Sequence, residues 1–274
     1  MQILFGIAFL GIITGLIGFI FHAFGKEKKY FVAATFGTLV GFIGLTTLLV
    51  IQGFSQGFSQ IQPYNILAWF MLLTYFFAEN KYRMRILGAL FMPIVTITMI
   101  TPIITGTKKA VSTTTLKSQF FTDLHVVLIL VSLTLFFLAF SEAVIYILKV
   151  RALKAHNSTA LDDRLPSLEK LETIFLGTFN IGWISMTCGL LIALLSIDYS
   201  SNEWANDTKI IWGLAIWVFY SILFFMHMMK KIDPRNLARS VTFLFVVVIT
   251  FWVALSINAI GPTASQPAIE QGAS

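Results

Sequence analysis

The chain has 274 residues, of which 57% are hydrophobic and only 12% charged. A soluble domain carries about 25% charged residues, so this composition excludes an ordinary soluble fold and indicates a membrane protein. The formal net charge of +6 follows from where the basic residues sit between apolar segments, and gives no reason to expect a nucleic-acid interface.

Eight segments approach the roughly 20 apolar residues that cross a bilayer: about 2–24, 31–52, 62–78, 86–105, 124–147, 173–195, 210–229 and 241–260. They predict an all-α polytopic membrane protein with one helical domain over 1–260. The first segment lacks a basic leading region and ends in "FHAFGKEKKY" rather than at a small-residue cleavage site, so it reads as a membrane helix and not a signal peptide. The third, "IQPYNILAWFMLLTYFFA", is short and begins polar. The sixth contains Met186 and the single cysteine, Cys188, so no disulfide framework and no thiol pair for exchange chemistry is available. After the eighth, 261–274 ("GPTASQPAIEQGAS") reads as a disordered outer tail.

The connections set the orientation. One set carries Lys26, Lys28, Lys29, Lys81, Arg83, Arg85, Lys149, Arg151, Lys154, Arg164, Lys170, Lys230, Lys231, Arg235 and Arg239. The other carries only Lys108, Lys109, Lys117 and Lys209. Fifteen against four puts the basic loops in the cytoplasm and both termini outside. Three connections are long: the Ser/Thr-rich outer loop 106–123, the inner loop 149–172, and the outer loop 196–209. In the inner loop, "RLPSLEKLE" predicts a short interfacial helix with Pro166 in its first turn.

Polar residues at membrane depth are costly and become functional candidates. His22 and His227 lie near the inner ends of spans one and seven, His125 at the outer start of span five, and Glu142 within span five. An imidazole at a span end has an ordinary role, bonding water or a carbonyl. As a neutral ring it is also a ligand for haem iron. On the outer face with His125, the loop "SSNEWANDTKIIW" brings Trp204, Asp207, Lys209 and Trp212. Both indoles suit an interfacial aromatic belt, and equally suit offset packing on a porphyrin plane. Lys209 can make a charge-assisted bond to a propionate, and Asp207 can cap span seven. A transporter is disfavoured, because one buried carboxylate and no Gly/Pro-broken pair of helices are present.

These residues resemble the polytopic haem-handling proteins of cytochrome c assembly, the CcsA/CcmC type and their HemX-like relatives. The family carries an outer loop of the form W-x-W-D-P-K-E-T-W followed by a helix of the "ALITWLVYA" kind. Trp204, Asp207, Lys209, Trp212 and Trp217 fall in register with it, and "GLAIWVFYS" follows. "DLHVVLILVSLTLFFLAFSEAVIYILKVRALK" is similar to a family helix and places His125 on a haem-ligand position. "RLPSLEKLETIFLGTFNIGWISMTCGLLIALL" and "ENKYRMRILGALFMPI" also resemble family segments, so the likeness covers about 60–260. Asn206, Thr208 and Ile210 depart from the loop pattern, and "SINAIGPTAS" lacks the second outer His.

The resemblance implies haem as cofactor or cargo, with His125, Trp204, Asp207, Lys209 and Trp212 at an outer site and His22 with His227 at an inner one. His125 and His227 are the candidate iron ligands. Expected partners are membrane lipid and an apocytochrome c or other haem-assembly protein, within a larger membrane complex, and no nucleic acid. The expected location is the cytoplasmic membrane of bacteria or an organelle membrane of that origin. No catalytic residue is indicated. The departures point to the reduced, HemX-like branch and leave open a membrane scaffold or regulator of haem biosynthesis that has lost haem binding.

Overall fold

The computed structural model describes residues 2–25, 28–56, 61–84, 86–104, 119–154, 165–196 and 208–260, with 23–25, 28, 56, 119, 196, 208–209 and 251–260 described by backbone only. The described residues form eight α-helices and no strand: α1 (Gln2–Gly25), α2 (Lys28–Gln56), α3 (Pro63–Tyr82), α4 (Leu87–Ile104), α5 (Gln119–Lys154), α6 (Leu168–Ser196), α7 (Thr208–Met228) and α8 (Pro234–Ile260). Each coincides with one of the eight expected segments. Six of them, α1, α2, α4, α5, α6 and α7, are long and apolar enough to cross a membrane. The protein is therefore an all-helical, multi-pass membrane protein. The ends that the charge distribution assigns to the outside and inside are called outer and inner below. The tail 261–274 and most of the long outer loops lie outside the described residues.

In lipid every backbone group must find its partner within the helix or its neighbours, and the termini and breaks show how. Pro63 opens α3 after an extended Gln62 (φ −65°, ψ 123°), the position at which a missing N–H costs nothing. Arg83 closes it in the left-handed region (φ 54°), its N–H donating to Glu79 O at 2.7 Å. Lys230 ends α7 in the same way (φ 55°), with Lys231 N–H reaching back to Met226 O at 2.9 Å, the long return bond of a Schellman cap. Inside α4, Pro93 and Pro102 interrupt the ladder. The carbonyls thereby left without a helical donor are those of Ala89 and Thr98, while the hydroxyls of Thr96, Thr98 and Thr101 donate to the Met92, Val95 and Ile97 carbonyls at 2.7–2.8 Å.

One expectation is corrected. Residues after Pro166 do not form a separate interfacial helix; they are the first turn of α6, which runs unbroken from Leu168. Ser167, not Pro166, makes the capping contacts: Lys170 N–H to its hydroxyl at 3.3 Å and Leu171 N–H to its carbonyl at 2.9 Å. A serine oxygen can accept the first free N–H of a helix, which proline one residue earlier cannot. Pro166 O instead accepts from Lys149 Nζ at 2.8 Å, tying α5 to the start of α6.

The bundle is built from two close helix pairs, α1 with α2 and α5 with α6, joined by α3, α4 and α8. The first pair meets through small residues. A Cβ on Gly11 would lie 2.6 Å from Gly41 N, and one on Gly41 would lie 2.7 Å from Ile12 Cγ1. Small side chains let backbones approach this closely, and dispersion then drives association where water cannot. α1 docks on α4 by setting the Phe19 ring over Gly88, where a Cβ would be 2.6 Å away. Phe19 also meets Tyr75 edge-on at 5.6 Å. A chain of rings, Phe91–Phe137 at 4.6 Å and Phe140–Phe245 at 4.6 Å, continues from α4 through α5 to α8.

Candidate functional site

The α5–α6 pair is held by side chains that donate across the interface to backbone carbonyls. Ser132 Oγ reaches Gly182 O at 3.0 Å, and Ser185 Oγ reaches Leu128 O at 3.1 Å. At the outer end, His125 Nδ1 lies 2.8 Å from Gly189 O. The glycines serve close approach here: a Cβ at Gly182 or Gly189 would press on α5 side chains at 3.0–3.3 Å. A carbonyl only accepts, so Nδ1 is the donor here, and in the neutral ring Nε2 is then the lone-pair nitrogen. That tautomer and a fixed ring are what a metal-ligating histidine obtains from a backbone carbonyl behind it. His125 stands six residues into α5, because the helix begins at Gln119, earlier than the span did.

α7 joins this pair through indoles. Trp183 Nε1 donates to Ser221 Oγ at 2.8 Å and Trp217 Nε1 to Thr187 Oγ1 at 2.9 Å. The Trp183 ring also stacks on Phe224 at 4.0 Å, interplanar angle 9°. Beside these contacts, Phe136 of α5 and Tyr220 of α7 stack at 3.9 Å and 14°, with Phe179 of α6 next to them.

α5 and α7 both run from the outer to the inner face. Eleven residues outward from Phe136 is His125, and eleven outward from Tyr220 is position 209. Eleven residues make three turns, about 16 Å, and return each helix to nearly the same face. His125 thus lies about three turns outward of Phe136 along α5, and position 209 about three turns outward of Tyr220 along α7. Trp212 lies one turn inward of position 209 and is 37% exposed. Trp204 and Asp207 lie outside the described residues, and Lys209 is described by backbone only.

The inner candidates are not gathered in this way. His22 is buried and tilted against Phe31, ring centroids 5.3 Å apart. His227 Nδ1 is buried with no hydrogen-bond partner, an orphaned atom of the kind that a metal or ligand satisfies. But α1 packs chiefly on α2 and α4, and α7 on α6 and α8, so the helices carrying His22 and His227 share no substantial interface. Among the described residues no group of three or more His, Cys, Asp or Glu side chains could hold a metal ion by itself. Haem needs only one or two axial ligands.

Glu142 is fully buried on α5 with both carboxylate oxygens unpartnered, although Thr178 of α6 lies across from it. Nearer the inner face, Tyr146 OH donates to Glu172 Oε2 at 3.2 Å.

The family model for cytochrome C assembly protein matches residues 60–260. The chain belongs to the cytochrome c assembly protein family. No curated protein and no solved structure matches it. The match starts just before α3 and takes in α3 to α8, so all the outer candidates fall inside the cytochrome c assembly region while α1, α2 and His22 precede it. Membership gives the chain a role in cytochrome c biogenesis, in a family that handles haem.

The sequence points to His125 but not to its partner. Gly189 is sixty-four residues away, and no spacing rule connects them. The indole–hydroxyl bonds of Trp183 and Trp217 and the Phe136–Tyr220 stack were likewise missed, hidden in a general excess of aromatic residues.

Proposed function

We propose that this chain receives haem at its outer face and holds it for a partner apocytochrome c, in a bacterial cytoplasmic membrane or an organelle membrane of that origin. The observation that carries the reading is the His125–Gly189 bond, which leaves Nε2 of a fixed imidazole as the free iron ligand. In this reading Trp204 and Trp212 pack against the porphyrin, Asp207 caps α7, and Lys209 pairs with a propionate.

Haem supplies the redox-active iron and the vinyl groups that a partner's thiols take up. With one cysteine the chain itself presents no Cys-x-x-Cys-His acceptor, so attachment takes place on the partner. His227 is a second ligand candidate, by virtue of its orphaned Nδ1. His22 stands apart on α1. Purification from haem-replete cells tests the proposal: a Soret band that co-elutes with the protein is expected. Its absence, with the protein still capturing assembly partners, would favour the scaffold or regulator reading, which the absence of an outer His in "SINAIGPTAS" also favours.

A further inference from the structure

α7 turns most of its surface away from the rest of the bundle, and one strip of that surface is hollowed. A groove of about 380 Å³ runs along the helix from Trp217 past Ile222, Phe225, Met226 and Met229 to Lys231. Its walls are almost wholly apolar except at the Lys231 end. From Trp217 to Met229 the helix rises about 18 Å, close to the depth of one leaflet of a hydrocarbon core about 30 Å thick. The groove thus has the length of a single acyl layer, measured from a cationic mouth.

The mouth is strongly basic. Between positions 217 and 239 the sequence holds Lys230, Lys231, Arg235 and Arg239 against the single acid Asp233. Two of the four are already engaged: Arg235 acts electrostatically on Tyr146, and Arg239 Nη1 donates to Asn236 Oδ1 at 3.4 Å. Lys230 and Lys231 are exposed and form no ion pair among the described residues. The left-handed conformation of Lys230 (φ 55°) turns the chain at the end of α7, and the next residue, Lys231, lines the groove's inner end. By the charge rule this end is cytoplasmic, where anionic lipids are found and basic pockets between helices bind their headgroups.

We infer that the α7 groove is a binding site for an anionic phospholipid of the inner leaflet, acyl chain along Trp217–Met229 and phosphate at Lys230 and Lys231. This site lies at the opposite end of α7 from the outer haem residues and does not depend on the haem reading.

Native mass spectrometry of the full-length protein tests it. Delipidated protein in mild detergent is offered equal amounts of phosphatidylglycerol and phosphatidylcholine with matched chains. Retention of one phosphatidylglycerol at least five-fold over phosphatidylcholine is expected. Lys230→Asn with Lys231→Gln, asparagine being tolerant of the left-handed turn, should abolish the preference. Ile222→Trp, which fills the groove, should reduce retention of both lipids with the headgroup preference intact. Equal retention of the two lipids by the native protein would overturn the inference. So would a preference that survives the double substitution, or haem displacing the lipid in a Lys231-dependent manner. Thermal melting of each variant identifies any that fails to fold. In that event Lys231→Gln alone, expected to halve the preference or better, replaces it, and an unchanged ratio overturns the site.

Discussion

Nδ1 of His125 lies 2.8 Å from the carbonyl oxygen of Gly189, so the bond that locks α5 to α6 at its outer end also selects the tautomer of the ring. Structure and ligand function can then be separated by substitution. His125→Asn keeps a donor near Gly189 and is expected to hold the fold within about 1 kcal/mol while losing haem. His125→Ala is expected to lose both the bond and the haem. Thermal melting beside haem content reads the two effects. Haem retained in His125→Asn would contradict the assignment of Nε2.

The indole bonds give a second prediction. Trp183→Phe and Trp217→Phe keep most of each ring while removing the donors to Ser221 and Thr187. Interhelical bonds in membranes contribute about 0.6 kcal/mol each, so each change should lower stability by roughly that amount. The two sites are linked, since Thr187 Oγ1 also donates to the Trp183 carbonyl at 2.9 Å, so the double change should depart from the simple sum of about 1.2 kcal/mol. Unfolding in detergent checks the sum. A loss several times larger would contradict the bond-sized effect and put the cost in the indole packing, such as the Trp183–Phe224 stack.

The glycine interface predicts opposite outcomes at two sites. Gly41→Val forces a side chain into Ile12 and the Ala8 carbonyl, 2.7 and 3.1 Å from the Cβ position, and should cost about 1–3 kcal/mol as α1 and α2 separate. Gly177 in α6 has nothing within 4 Å of that position. Gly177→Ala should be neutral or add up to about 1 kcal/mol by favouring the helix. Cross-linking between α1 and α2 and thermal melting distinguish the two.

Glu142 is expected to weaken the bundle rather than hold it. Both oxygens are buried without partners, and an unsatisfied polar group costs about 1–3 kcal/mol. Glu142→Leu should raise the melting temperature. If haem handling falls at the same time, the carboxyl is kept for function at the expense of stability, as buried ionisable residues in membranes usually are. A lower melting temperature in Glu142→Leu would contradict this account.

Much of the fold was legible because hydropathy alone places membrane helices. Span five was read as 124–147 and is the helix Gln119–Lys154, since the polar ends of a helix extend past the lipid and carry no hydropathy signal. The separate interfacial helix failed for a related reason: Leu165, Leu168 and Leu171 form an apolar stripe locally, but nothing breaks the chain between Leu168 and the rest of α6. The site was legible as residue types at family spacing. Its geometry was not, because the Gly189 carbonyl is backbone and every residue has one. Nor could the sequence show that Phe136 of α5 stacks on Tyr220 of α7.

Haem content of the purified protein, measured as pyridine haemochrome per chain, tests the central claim most directly. The native protein should carry close to one haem, and His125→Ala less than about a tenth of that, corresponding to the roughly 1.4 kcal/mol or more lost with the axial ligand. A native protein without haem, or an unchanged content in His125→Ala, would contradict the account.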